Sequence, residues 1–262
     1  MKRVKNIAVT ACAVVVATMI CSAGAEQSLV TIRNNGGYQT EITTPSGRRI
    51  FVDIGDPSGL SAVPSKGDIL LETHCDPQDN WDGDFIESFP GRFLVVSEGE
   101  IAETDVRVIG IGSAQSEGLE IVGKGGSAYI YVVETGGLRI VFLGNCGQAK
   151  LSGEQCRKIG RVDILITQFN RPDSGMDIMN KKGFNLANQL SPSVIIPTLI
   201  DDAEIDYALK KWKGVRSAEC LGLSPETLPR TPTFVMMGIL GRFKGQPRKL
   251  PLSDFRNRTS AK

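Results

Sequence analysis

The sequence contains very little histidine, since His74 is the only one among 262 residues. A serine–histidine–aspartate site could therefore use only His74, and no Gly-x-Ser-x-Gly turn is present to carry its nucleophile. An excess of one charge is also missing, because 30 basic residues face 29 acidic ones. This balance gives no reason to expect a nucleic acid or an anionic membrane as a partner.

Long apolar runs are missing as well, except near the first residue. There, an apolar stretch over residues 7–20 follows a basic start and precedes the small residues Ala23-Gly24-Ala25. This order predicts a secretory signal peptide over residues 1–25. The stretch is shorter than the roughly 20 residues that span a bilayer. We therefore expect an exported protein, periplasmic or secreted, with no membrane anchor after cleavage.

Cysteine is sparse, and two of the six cysteines lie in the predicted signal peptide. The four that would remain are Cys75, Cys146, Cys156 and Cys220. In an oxidising compartment four cysteines suggest two disulfides, and three pairings are open.

The first half of the mature chain is rich in strand patterns. Gly-Gly and Pro-Ser-Gly turns separate three of them, at residues 29–33, 38–44 and 49–54, which predicts a β-meander. Farther along, Gly136-Gly137 joins two apolar strand patterns and predicts a hairpin.

The second half alternates strand and helix patterns. A strand at 163–167, a helix at 181–190 and a strand at 193–199 predict a parallel pair of strands with a helical crossover. No linker divides residues 26–241, so we predict one domain. Residues 242–262 are strongly basic and are predicted to form a solvated tail or an oligomer arm.

The only histidine and several carboxylates lie together in the stretch KGDILLETHCDPQDNWDGD, residues 66–84. Its short apolar strand ends in a polar turn that contains His74, and polar groups at the carboxyl end of a strand often face a cleft. Four carboxylates, Asp76, Asp79, Asp82 and Asp84, offer oxygen ligands of the kind that calcium prefers. A solvated loop or a helix cap explains the same carboxylates, and both interpretations stay open.

Three segments of the chain resemble the metallo-β-lactamase superfamily, in particular its ascorbate-6-phosphate lactonase-like branch. The order Ile-Leu-Leu-Glu-Thr-His-x-Asp-x-Gln-Asp resembles that family's strand-end motif Thr-His-x-His-x-Asp-His. IFVDIGDP is similar to its Ile-Asp-Pro strand end, and LANQLSPSVIIPTL to its helix followed by Pro-x-Val-Val-Ile-Pro-x-His. The resemblance implies an α/β (α+β) fold, a four-layer αββα sandwich with two mixed sheets face to face and helices outside.

The resemblance also implies that most ligands of the family's two metal ions are replaced. His74 matches the first histidine. Asp76 takes the place of the second histidine, Gln78 that of the aspartate and Asp79 that of the third histidine. One inserted residue would instead put Asp79 on the aspartate.

Other family positions lie elsewhere in the chain. Asn145 stands where the family's Gly-Asp-Thr-Gly carries the aspartate that bridges the two metals, and Thr198 or Leu199 stands where the last histidine is expected. Asp53 matches an aspartate that orients the metal-site loop, although capping its own turn is an equal alternative.

These replacements leave two functions open. The expected one is a non-catalytic binding or structural protein with no cofactor, whose partner is an unidentified small molecule or protein. The alternative is a divergent hydrolase with one ion, zinc or calcium, held by His74, Asp76 and Asp79. The resemblance also implies that Cys75 and Cys146 meet in the cleft as a disulfide, which leaves Cys156 and Cys220 as the second pair.

Overall fold

The computed structural model describes residues 29–34, 38–74, 82–116, 128–216 and 220–237. The predicted signal peptide, the basic tail and the turn after His74 lie outside these ranges. No helix within them is long and apolar enough to cross a membrane.

Fourteen strands and four α-helices build the described part of the chain. The strands are β1 Val30–Asn34, β2 Thr40–Thr43, β3 Arg49–Val52, β4 Ile69–Glu72, β5 Arg92–Val95, β6 Gly99–Ala102, β7 Val106–Ser113, β8 Ala128–Thr135, β9 Leu138–Phe142, β10 Ile164–Thr167, β11 Val194–Pro197, β12 Lys213–Arg216, β13 Cys220–Leu223 and β14 Thr233–Met236. The helices are α1 Gly83–Ser88, α2 Gly153–Ile159, α3 Lys182–Leu190 and α4 Asp202–Lys211.

The first sheet has the strand order β13-β1-β2-β3-β4-β5. β1, β2 and β3 are antiparallel neighbours, which confirms the predicted meander. β3, β4 and β5 are parallel to one another. The carboxyl ends of β3 and β4 therefore meet at one edge of the sheet.

The second sheet has the order β12-β14-β11-β10-β9-β8-β7-β6. β8 and β9 form the predicted hairpin, and Gly136 and Gly137 take the positive φ angles that its turn requires. β10 and β11 are parallel, as the strand–helix–strand pattern predicts. β9 is parallel to β10, so these strands also end at a common edge.

Side chains alternate between two faces of each sheet and so build separate cores. In β3, Ile50 and Val52 face the second sheet, whereas Phe51 packs outward with α1. In β10, Ile166 faces the first sheet, whereas Leu165 packs outward under the other helices. Two facing sheets with helices outside both form the predicted four-layer αββα sandwich, and this prediction is confirmed.

Candidate functional site

The parallel strands β3 and β4 place Asp53 beside Thr73. The Thr73 amide donates to Asp53 Oδ1 at 2.7 Å, and the Thr73 hydroxyl lies 2.9 Å from each carboxylate oxygen of Asp53. Asp53 has a left-handed φ of 53°. Its carboxylate therefore holds the end of β4 instead of capping its own turn. Asp56 serves that turn, since its Oδ1 accepts the Ser58 amide at 3.0 Å.

The imidazole of His74 is buried between the two sheets' edges. Its Nδ1 lies 3.1 Å from Thr73 Oγ1 and 3.9 Å from Asp53 Oδ1. On the other side, His74 forms a backbone bridge with Ala128, at the start of β8 in the second sheet. The Thr73 hydroxyl thus contacts one ring nitrogen of His74, whereas the Asp53 carboxylate lies beyond hydrogen-bond distance of the imidazole.

Tyr38 and Arg171 complete the surroundings of His74. The Tyr38 ring meets the imidazole edge to face, with centroids 5.8 Å apart. The Arg171 guanidinium stacks over the Tyr38 ring at 5.0 Å and donates through Nη1 to the Tyr38 hydroxyl. Tyr38, Asp53, Thr73, His74 and Arg171 are called the His74 cluster below.

Burial dominates the electrostatics of the His74 cluster. It raises the pKa of Asp53, against the opposing effects of His74, the Thr73 hydrogen bonds and the Arg171 charge. Burial also raises the pKa of Glu72 well above its usual range, and the nearby Asp53 charge adds to this. Glu72 Oε1 accepts a hydrogen bond from the Ile54 amide at 3.1 Å. Glu72 therefore helps to hold the residues that follow β3.

Asn145 reaches the same region because Gly144 permits a close approach. Gly144 has a φ of +50°, and a Cβ there would lie 2.3 Å from Thr73 Cβ. The Asn145 carbonyl accepts the Ser174 hydroxyl at 3.2 Å. Its side-chain amide is buried, and neither amide atom has a hydrogen-bond partner among the described residues. The structure therefore brings Asp53, His74 and the Gly144–Asn145 turn together.

Thr198 lies at the end of β11, where its amide donates to the Thr167 carbonyl at 2.9 Å. It shares the carboxyl edge of the parallel strands, and its inclusion in one cleft with His74 stays a prediction. Three other predicted site residues, Asp76, Gln78 and Asp79, lie outside the described ranges.

The cysteines bear on two predictions. Cys146 is buried in the core under the outer helices, and burial raises the pKa of its thiol to about 11. Cys75 lies outside the described ranges, so its pairing with Cys146 stays a prediction. The pairing of Cys156 with Cys220 is wrong. Cys156 is a free thiol on α2, outside the second sheet, whereas Cys220 belongs to β13 of the first sheet.

The donors among the described residues do not fit a pair of zinc ions. A catalytic zinc ion takes about three protein ligands from histidine, cysteine and carboxylate side chains. No group of three or more such side chains is placed to hold a metal in the part of the chain that the structure describes. Asp82, one of the carboxylates considered for calcium, caps α1 by accepting the Phe85 amide at 2.9 Å.

A cavity of about 570 Å³ lies elsewhere, on the outer side of the first sheet. Its walls come from the 57–64 segment and from α1 with the residues that follow it, and include Leu60, Val63, Phe85 and Phe89. No member of the His74 cluster lines this cavity, most of whose lining residues are apolar types.

The sequence prediction missed Tyr38 and Arg171. Arg171 follows β10 within the polar turn Asn170-Arg171-Pro172, and a polar turn after a buried parallel strand is the signal that could have indicated it. Tyr38 lies 133 positions away from Arg171, and nothing local indicates that the two meet.

A family comparison, together with the fold, identifies the class of protein. The family model described as beta-lactamase superfamily domain matches residues 37–199, and the chain belongs to this superfamily, whose metallo-β-lactamase fold it adopts. No curated protein matches the chain.

Two solved structures are similar to this chain over most of their length. One, from Thermotoga maritima, is assigned as a zinc-dependent hydrolase of the metallo-β-lactamase superfamily. It is 21% identical with a TM-score of 0.58, and the match covers 80% of this chain and 98% of that one. The other, from Parabacteroides distasonis ATCC 8503, is assigned as a metal-dependent hydrolase. It is 18% identical with a TM-score of 0.52, and the match covers 69% of this chain and 88% of that one. At these identities the similarity establishes the fold alone.

Proposed function

We propose that this protein has lost the dinuclear zinc site of its superfamily and acts, after export, as a non-catalytic binding or structural protein. The observation that carries the proposal is the ligand set. The whole chain has one histidine, and the neutral amide of Asn145 stands where the family resemblance implies a bridging aspartate. Metal-dependent hydrolysis relies on a metal-activated water. This ligand set offers too few donors to hold a pair of zinc ions that would activate one.

Buried polar atoms beside the His74 cluster support a binding role. Both amide atoms of Asn145 and the Oε1 atom of Gln168 are buried without hydrogen-bond partners among the described residues. An unpaired buried polar atom costs about 1–3 kcal/mol, so a partner that pairs with these atoms is favoured. A small polar molecule or a polar peptide segment has the chemistry to do so.

Elemental analysis tests the loss of the metal site. Protein prepared without a histidine tag is incubated with excess zinc, freed of unbound metal and analysed by mass spectrometry. We expect far less than one zinc per chain. About one zinc per chain that is lost in His74→Ala and kept in the surface variant Ser88→Ala would contradict the proposal.

One observation favours the alternative of a mononuclear hydrolase at His74. The Thr73 hydroxyl lies 3.1 Å from His74 Nδ1 and 2.9 Å from the Asp53 carboxylate, and hydrogen-bonding partners behind a metal-binding histidine commonly orient it. This alternative would draw its other ligands from Asp76 and Asp79 and would use zinc or calcium. It predicts hydrolysis that a chelator stops and that His74→Ala abolishes, whereas the main proposal predicts no such activity.

A further inference from the structure

The cavity on the outer side of the first sheet has the size and the lining of a ligand site. Its volume of about 570 Å³ lies within the range of roughly 300–1,000 Å³ that small-molecule sites occupy. Eight of the ten described residues that line it are apolar, and the other two are Ser58 and Ser88. None of these ten side chains carries a charge. A buried ion would find no opposite charge on these walls, so they favour a neutral ligand.

One wall of the cavity, the segment after β3, is anchored to the sheet by polar contacts. The buried Glu41 carboxylate of β2 accepts a hydrogen bond from the Ser61 amide at 3.1 Å. Arg49 of β3 donates to the Ala62 carbonyl at 2.8 Å and to the Val63 carbonyl at 2.7 Å. These contacts fix the backbone of the wall before a ligand arrives. A preformed wall lowers the cost of ordering the site on binding.

The opposite wall presents aromatic rings. Phe85 of α1 meets Phe89 edge to face, with centroids 5.8 Å apart. Phe89 meets Phe51 of β3 in the same way at 6.0 Å, which ties this wall to the core under α1. Phe85 is half-buried, so part of its ring is accessible. An aromatic ligand can extend this edge-to-face arrangement, and such contacts add to the gain from burial.

The two serines restrict the polar group of the ligand. The Ser58 hydroxyl donates to Asp56 Oδ1 at 2.6 Å, and the Ser88 hydroxyl donates to the Asp84 carbonyl at 2.7 Å. A hydroxyl has one hydrogen to donate, so each serine can only accept a further hydrogen bond. A ligand group that pairs with either serine is therefore a donor, such as the O–H of a phenol or the N–H of an indole.

We propose that this cavity binds a neutral aromatic molecule that carries a hydrogen-bond donor, of the phenol or indole type. Val63 lines the cavity with its side chain 86% exposed, and a bound ring that covers part of this apolar surface gains free energy. The site is separate from the His74 cluster. The proposal goes beyond the proposed function and does not depend on the loss of the metal site.

NMR spectroscopy with 2-naphthol as the probe tests the location of the site. The protein is labelled with carbon-13 in its leucine, valine and alanine methyl groups, and the probe is added at neutral pH, where it is uncharged. We expect saturable binding of one molecule per chain, with nuclear Overhauser effects from the ring protons to the methyl groups of Leu60, Ala62 and Val63. Contacts only with other methyl groups, or no saturable binding, would overturn the proposal.

Three analogues with the same two-ring frame test the class of ligand. 2-Methoxynaphthalene lacks the donor, decahydro-2-naphthol lacks the aromatic rings, and 2-naphthoate carries a charge. The first two should bind at least about threefold more weakly than 2-naphthol, and 2-naphthoate at least about tenfold more weakly. Equal binding of the decahydro compound would indicate an aliphatic ligand, and equal binding of either other analogue would remove the need for a donor or for neutrality. Each of these results would contradict the proposed class.

Phe85→Leu tests the aromatic wall, with Phe93→Leu as the matched control. Phe93 of β5 is 55% exposed and does not line the cavity. Phe85→Leu should weaken the binding of 2-naphthol about three- to tenfold and change that of decahydro-2-naphthol less than about twofold. Phe93→Leu should change neither. Equal affinities of the two variants for 2-naphthol would show that the ring of Phe85 does not contact the ligand and would overturn the proposal.

Ala62→Trp is a second variant, which serves even if Phe85→Leu fails to fold. Ala62 is exposed on the wall of the cavity, so a larger side chain there competes with the ligand for space at little cost to folding. Met179→Trp is its control, because Met179 is 87% exposed and lies outside the lining. We expect Ala62→Trp to weaken the binding of 2-naphthol at least about tenfold and Met179→Trp to leave it unchanged. Unchanged binding in both variants would refute the assignment of the site.

Discussion

At the scale of single residues, the site depends on a few close contacts that no local pattern displays. The sequence indicated His74, Asp53 and Asn145 because each follows an apolar strand, and strand ends are recognisable locally. Tyr38 and Arg171 could not be found in this way, since their contact joins distant segments and buried arginine is uncommon. The resemblance implied a place for Asn145 in the site, but it gave no indication of Tyr38 or Arg171.

Gly144→Ala tests the close approach of the two strand ends. A Cβ at this position would meet Thr73 at 2.3 Å, and the φ of +50° adds backbone strain. We expect a loss of about 2 kcal/mol or more in the free energy of unfolding, measured in urea. Gly47→Ala is the control. Gly47 has a φ of +88° but no atom within 4 Å of its Cβ position, so strain alone should cost about 1 kcal/mol. Equal losses would show that the contact with Thr73 contributes nothing.

At the scale of elements, the sequence patterns predicted strands that carry clear apolar runs and missed strands that do not. β12 and β13 are four-residue strands with little apolar alternation, and β13 forms only because it pairs with β1 near the other end of the chain. α2 was missed although its signal was present. Ser152 and Gln155 form a capping box at its first turn, with the spacing that marks a helix start.

The first turn of α4 carries a pH-dependent contribution to stability. Burial and the neighbouring Asp201 raise the pKa of Glu204 from 4.5 to about 7. The folded state therefore keeps a proton that the unfolded chain has lost, so stability is full below about pH 4.5 and falls as pH rises toward 7. Glu204→Gln should abolish this fall, giving a higher urea midpoint than the unaltered protein at pH 8 but not at pH 4.5. A pH profile unchanged by the substitution would refute this assignment.

At the scale of the whole molecule, the order of patterns together with the resemblance was sufficient to predict the fold. Antiparallel strands early and strand–helix–strand units late leave few arrangements, and the resemblance selected the αββα sandwich among them. The order of strands in each sheet was not predictable, because β13 joins the first sheet and β12 the second although they are adjacent in the chain. Such choices depend on packing across the whole core.

The central claim is the proposal that this superfamily fold no longer binds zinc at His74. Because His74 is the chain's only histidine, its imidazole nitrogens give unambiguous NMR signals. Nitrogen-15 spectra of tag-free protein, recorded while zinc is added, test the claim most directly. We expect both imidazole signals to stay in place at two equivalents of zinc. A shift of either signal that saturates at one or two equivalents would contradict the account.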